Sequence, residues 1–231
     1  SKVEGYRSAL GNVVAPDRTP TQRVAREELR RGVAGLLGSE PRFRASPAGD
    51  AALVLGTPTS APWLAPLVHE LEGLGDEGYL LRRTRLDGRD ALVVAARRDI
   101  GVLYGVFHLL RLVQAGASLD GLDVSEVPRV KLRLLNHWDN LDGYVERGYA
   151  GASLWDWHTL PGWEDPRYTD YARANASIGI YGTVLNNVNA DALSLSPAYL
   201  RKGAALADVF RPYGVRVYLS ARFSAPMELG G

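Results

Sequence analysis

The 231-residue sequence predicts an α/β protein built in two parts. Three observations carry that reading. Helix, strand and hairpin signals crowd residues 1–118, a polar linker occupies 119–129, and residues 130–231 alternate strand, helix, strand, helix, strand. The alternation implies parallel pairing, because a helix between two strands returns the chain to the same end of a sheet. A hydrophobic fraction of 46% and a charged fraction of 23% fit an ordinary water-soluble globular chain. With a net charge of +1 and scattered basic residues, nothing electrostatic points to nucleic acid or an anionic membrane. No apolar run reaches the roughly eighteen residues of a membrane span. Cysteine is absent, so disulfides and thiolate metal sites are excluded.

The first part is read element by element. Thr19, Pro20 and Gln22 form a capping box, and Ala25, Leu29, Val33, Leu36 and Leu37 recur at helical spacing until Gly38 stops the helix. Residues 51–55 read as a buried strand ended by Gly56-Thr57-Pro58. Ser60 is placed to cap a second helix carrying Trp63, Leu64, Leu67, Val68 and Leu71. Residues 79–86 and 91–97 flank Asp87-Gly88-Arg89, a hairpin signal. Asp99 is expected to cap a third helix whose stripe is Val102, Leu103, Val106, Phe107, Leu110 and Val113. The sum is a small two-layer α/β domain.

In the second part, strands are expected at 130–136, 180–186 and 215–220, and helices at 166–177 and 197–210. Helix-to-strand gaps are short, whereas the connections after the first and second strands are long. Long connections at the C-terminal ends of strands are where such folds keep their chemistry. A closed eight-stranded barrel needs about 250 residues. The second part holds three strands and two helices, so the chain reads as a fragment. Its open sheet edge and apolar faces are expected to favour aggregation.

Motifs narrow the function. Gly73-Leu74-Gly75-Asp76-Glu77-Gly78 matches a dinucleotide fingerprint, but it follows a helix and precedes a strand, the reverse of the context that chemistry needs. It reads as a loop. His69 and His108 read as ordinary helix residues, and His137 and His158 lack a third ligand, so no metal site is expected. The sequon at Asn175 falls inside a helix and is discounted. The stretch 136–163 differs, because it places Trp138, Trp155, Trp157 and Trp163 among Asp, Asn and Arg. Indole rings stack on the C–H faces of sugars, while carboxylates and amides pair with hydroxyls. Trp138, at a strand exit, reads as a sugar platform, and the other three as loop packing. Glu146-Arg147 reads as a local ion pair. Asn186-Asn187-Val188-Asn189 suits hydroxyl recognition or loop bracing equally. Arg222 is a weaker candidate for meeting an anionic substrate.

Long strings also carry a resemblance. Leu134-Leu135-Asn136-His137-Trp138-Asp139-Asn140-Leu141-Asp142-Gly143 with Glu146-Arg147-Gly148-Tyr149-Ala150-Gly151 resembles the first barrel strand and loop of the bacterial α-glucuronidases of glycoside hydrolase family 67. Ala176-Ser177-Ile178-Gly179-Ile180 and Asn186-Asn187-Val188-Asn189-Ala190 resemble its second strand. Residues 204–214 and 223–226 resemble the segments after that strand in the family.

The resemblance implies a hexosaminidase-like α/β domain, then the first three strands of a TIM (β/α)8 barrel. It implies inverting release of (4-O-methyl-)α-D-glucuronic acid from xylo-oligosaccharides or aldouronic acids in xylan degradation, without a cofactor. The complete protein would be a homodimer, cytoplasmic or periplasmic. The catalytic carboxylates are expected beyond Gly231, and no catalytic residue is assigned here. Trp138 and Val188 match positions lining the uronic-acid pocket; Asp139 and Asn187 are added as their neighbours. Two other readings compete: another hexosaminidase-like barrel glycosidase acting on a neutral or amino sugar, and a non-catalytic carbohydrate-binding remnant.

Overall fold

Six strands form the sheet of the first unit, Ser1–Lys131, in a computed structural model that describes residues 1–47 and 52–230. They are β1 (Asn12–Val14), β2 (Arg42–Arg44), β3 (Ala52–Gly56), β4 (Tyr79–Leu86), β5 (Arg89–Ala96) and β6 (Asp123–Glu126). Their order is β2-β1-β3-β5-β4-β6, with β2, β1, β3 and β5 mutually parallel and β4 antiparallel to β5 and β6. The hairpin around Asp87-Gly88 is therefore present. The strand expected at 51–55 is seen as β3, every residue of it buried; Ala51 lies outside the described residues. Three strands carry no sequence signal. β1 and β2 hold only two and one apolar residues, with no longer apolar run around them, and β6 lies inside the segment read as a linker.

Helices α1 (Lys2–Leu10), α2 (Pro20–Leu37) and α4 (Asp99–Gln114) join this sheet with a short α3 (Val68–Gly73). In α2 the capping box is complete: the Thr19 hydroxyl accepts from Gln22 N at 3.1 Å and Gln22 Oε1 accepts from Thr19 N at 3.3 Å. Gly38 closes the helix at φ +68°, a conformation that side-chain-bearing residues avoid. Asp99 is the first residue of α4 rather than its cap. Its carboxylate instead accepts from the Thr19 hydroxyl at 2.7 Å and from Gln22 Nε2 at 3.0 Å, tying the starts of α2 and α4 together. Ser60 likewise does not cap a regular helix. It accepts from Thr57 N at 2.9 Å, and a 3-10 helix, Pro62–Leu67, precedes α3, because Pro66 removes a donor that an α-helix would need.

The two sheet faces are covered differently. α4 lies on the face of Val94, where a Cβ on Gly105 would fall 2.5 Å from Val94 Cγ1, so glycine there lets helix and sheet approach. α2 packs along α4. The opposite face, of Val14, Val54, Val93 and Ala95, is closed by Ala61, Leu64 and Leu71 with Trp63 and Leu67 beside them. The expected two layers thus become three at the sheet's centre, since the segment 61–73 needs an apolar face as much as α2 and α4 do.

The second unit, Leu132–Gly231, holds a parallel three-stranded sheet of β7 (Leu134–Asn136), β8 (Gly182–Val184) and β9 (Arg216–Tyr218), in that order. Between them run α5 (Pro166–Ser177) and α6 (Pro197–Phe210), and α7 (Ala225–Glu228) follows β9. Asp165 and Ser196 cap α5 and α6 with side-chain acceptors, each before a proline that has no N–H to satisfy. The strands are shorter than the apolar runs suggested.

Candidate functional site

The segment leaving β7 is wound on itself before it reaches α5. Asn140 N donates to Tyr144 O at 2.9 Å, Glu146 N to Trp138 O at 2.9 Å, and Ser153 N to Gly143 O at 2.8 Å. The Asn140 side-chain amide donates to the Glu146 carbonyl. Glycines at 143, 148 and 151 take positive φ, as does Glu146 at +53°. A glutamate there is strained by contact between its Cβ and the backbone.

Asp139 sits at the root of this loop and is 1% exposed. Its carboxylate accepts from the Ser153 hydroxyl and from Leu154 N at 3.1 Å, and its carbonyl accepts from Asn187 N at 2.9 Å. Asp139 therefore braces the β7 loop and joins it to the β8 exit. The expectation that it faces substrate is corrected, because its side chain is enclosed and engaged within the chain. Trp138 and Val188, by contrast, are 45% and 48% exposed. Asn187 is 3% exposed and its Oδ1 accepts from Asn189 N at 2.8 Å. Asn186 braces in turn, its amide exchanging hydrogen bonds with the Ser220 backbone at 2.9 and 2.8 Å.

Beneath the loop lies an aromatic core. Trp155, 1% exposed, donates its indole N–H to Leu185 O at 3.1 Å and meets His137, Tyr168, Tyr171 and Phe210 with ring centroids 5.1–5.9 Å apart. Trp157 is also buried, and its backbone carbonyl accepts from Lys202 Nζ. Both pack the loop, as expected, whereas Trp163 is exposed. His137 Nε2 pairs with the Tyr171 hydroxyl at 2.8 Å, which donates to Thr183 Oγ1 at 2.8 Å. Burial holds the imidazole below its ordinary pKa and pushes the Tyr171 phenol up; the Asp139 charge opposes the first and adds to the second.

Beyond the C-terminal ends of β7 and β8 a cavity of about 570 Å³ is lined by Asn140, Asp142, Glu146, Arg147, Asn187 and Asp191, among others. Asp142 and Asp191 each cap a local turn, accepting from Tyr144 N at 3.0 Å and Leu193 N at 2.9 Å. Glu146 and Arg147 do not form the expected ion pair. Among the described residues Arg147 has no carboxylate partner, and Glu146 Oε1 is buried without a hydrogen bond. An orphaned carboxylate oxygen and an unpaired guanidinium at one cavity were not anticipated. The signal available was Gly148, two residues after Glu146, which marks the turn closed by Gly148 N donating to Val145 O at 3.0 Å. Arg222 is engaged with Glu228 and is not free for an anion. Among the described residues no three His, Cys, Asp or Glu side chains converge as metal ligands, and no helix is long and apolar enough to cross a membrane.

The arrangement offers hydroxyl-pairing groups, the Arg147 guanidinium and exposed Trp138 at the ends of parallel strands. Residues 1–109 match the glycosyl hydrolase family 67 N-terminus and residues 112–231 its middle domain. "Probable alpha-glucuronidase A" of Aspergillus oryzae is 34% identical over 212 residues, covering 90% of this chain and 24% of that protein. The chain thus spans about a quarter of that relative's length, and the relative is fungal where the sequence strings were referred to bacterial members. Among solved structures, a family GH115 4-O-methyl-α-glucuronidase with specificity for decorated arabinogalactans superposes with a TM-score of 0.59 at 15% identity, over 89% of this chain and 28% of its own. A Streptomyces plicatus β-hexosaminidase mutant superposes at 0.50 and 15% identity, over 91% and 41%. These likenesses concern the fold: mixed α/β with a parallel-rich sheet.

Proposed function

The chain belongs to glycosyl hydrolase family 67, and from that premise we propose that the protein containing it is an α-glucuronidase acting in xylan degradation. The reaction is inverting hydrolysis of the α-1,2 bond between (4-O-methyl-)D-glucuronic acid and a xylo-oligosaccharide. The observation that carries the reading is the polar cavity at the C-terminal ends of β7 and β8. In this reading β7, β8 and β9 are the first three strands of a (β/α)8 barrel, whose chemistry sits at that end. Inversion needs a carboxylic acid and a carboxylate base about 6.5–9.5 Å apart across the sugar. Both belong to later strands.

This chain's residues then supply one wall of the sugar pocket. Asn187 lines the cavity, while Trp138 and Val188, exposed at the exits of β7 and β8 but outside its lining, would offer an indole face and an apolar contact to the sugar. Asp139 acts at one remove, by holding the two strand exits together. Arg147 is placed to meet a carboxylate, and Glu146 Oε1 to accept from a hydroxyl. The complete open reading frame, expressed and given an aldouronic acid, should release 4-O-methylglucuronate as the β-anomer first. No release, or release only of a neutral or amino sugar from other substrates, sinks the proposal.

A further inference from the structure

A second cavity, of about 590 Å³, lies wholly within the first unit, beyond the C-terminal ends of β1, β2 and β3. Its place follows from topology. β1 leads into α2, which runs along α4 on the Val94 face; β3 leads into the segment closing the opposite face. β1 and β3 are adjacent and parallel, so their outgoing connections diverge and leave a crevice between them. In open α/β sheets this switch point is where ligands bind. The volume falls within the roughly 300–1,000 Å³ of small-molecule sites.

The lining states the chemistry. Arg18, Arg26 and Arg44 face it with a single acid, Asp17. Asp17 pairs with Arg26 at 2.9 Å, and the Arg26 guanidinium lies over the Phe43 ring at 4.1 Å, which leaves the excess charge on the other two. Arg44 spends only its Nε, on Asn12 Oδ1 at 3.0 Å, and Arg18 has no ion-pair partner among the described residues. Trp63, half-buried against the apolar core, supplies an indole beside them. A phosphate cradle is not available. The β1 exit, Ala15-Pro16-Asp17-Arg18-Thr19-Pro20, has two prolines and no glycine, and the Thr19 hydroxyl already occupies Gln22 N at the start of α2.

We propose that this cavity is a binding site for a carboxylate-bearing oligosaccharide, with Arg18 and Arg44 on the carboxylate and Trp63 under a sugar ring. Its position is independent of the proposed function; the choice of a uronic acid as the acidic sugar rests on that reading.

The test titrates the 231-residue chain with an aldotetraouronic acid, with xylotetraose and with inorganic phosphate, following the Trp63 indole N–H by NMR and assigning it with W63F. The aldouronate should shift that resonance saturably, and the R18Q/R44Q variant, both changes being at exposed side chains, should weaken binding about tenfold or more with an unchanged melting temperature. Xylotetraose should bind at least as weakly to the parent chain. No saturable shift, equal affinity in the double variant, or tighter binding of phosphate overturns the proposal. Binding at Trp63 by a chain whose complete protein releases no glucuronate would leave this site standing and remove only the proposed activity.

Discussion

Glu146 is held in a backbone conformation that its side chain disfavours. A non-glycine residue at φ +53° is disfavoured, and its Oε1 is buried without a partner, so the position is costly on two counts. Strain of this kind is tolerated where a side chain is used. Glu146→Gly is therefore expected to raise stability by up to about 1 kcal/mol in thermal unfolding while lowering the glucuronate release proposed for the complete protein. Unchanged activity would show that the carboxylate is idle. Two half-buried histidines set a second expectation. Burial depresses the pKa of His137 and of His108, with Arg111 adding to the latter. The unfolded chain then binds more protons than the folded one as pH falls below about 6.5. Their contribution to stability is complete above that value and is lost through the more acidic range. Melting temperature should fall from pH 7.5 to pH 5, and His137→Gln together with His108→Gln should flatten the slope; an unaltered slope would assign it to other groups.

At the scale of elements, α2 and α4 depend on a shared N-terminal network. Thr19 caps α2 and donates to Asp99, while Gln22 completes the capping box and reaches the same carboxylate. Thr19→Ala removes both the cap and the bridge. A loss of about 1–2 kcal/mol is expected, read as a melting temperature lower by roughly 5 °C. A double-mutant cycle with Asp99→Asn should give a non-additive result; strict additivity would mean that the two helices are capped independently. The loops of the second unit obey another logic. Asp139 and Asn186 convert polar side chains into struts between strand exits, and the exposed Trp138 and Val188 stand on that frame.

At the scale of the whole molecule, the two units differ in how much apolar surface they close. The first encloses a sheet on both faces. In the second, β7 and β9 are the edge strands, and Leu132, Ile178, Phe223 and Met227 are exposed. Exposed edges and apolar side chains drive association. Light scattering on the purified 231-residue chain should therefore show self-association that rises with concentration; a monodisperse monomer would contradict this.

Much of the architecture was legible because its causes are local. The Thr19–Gln22 box, Gly38, the Asp87-Gly88 turn and the strand–helix alternation after residue 130 all depend on neighbours within a few positions, and each lies where the pattern put it. β1, β2 and β6 were not legible, since each carries at most two apolar residues and takes its identity from the strands beside it, whereas the equally short β7, β8 and β9 sit inside longer apolar runs. The same limit governed the site. Sequence singled out the loop after β7 and the Asn-rich exit of β8, because Trp, Asp and Asn are unusual there. Which of those side chains are enclosed and which face the cavity was decided only by tertiary structure. Asp139 is occupied by Ser153 and Leu154, Asn187 is held through the Asp139 carbonyl, and Glu146 is parted from Arg147 by a left-handed turn. Burial and hydrogen-bond partnership are properties of residues far apart in the chain, and only the folded arrangement assigns them.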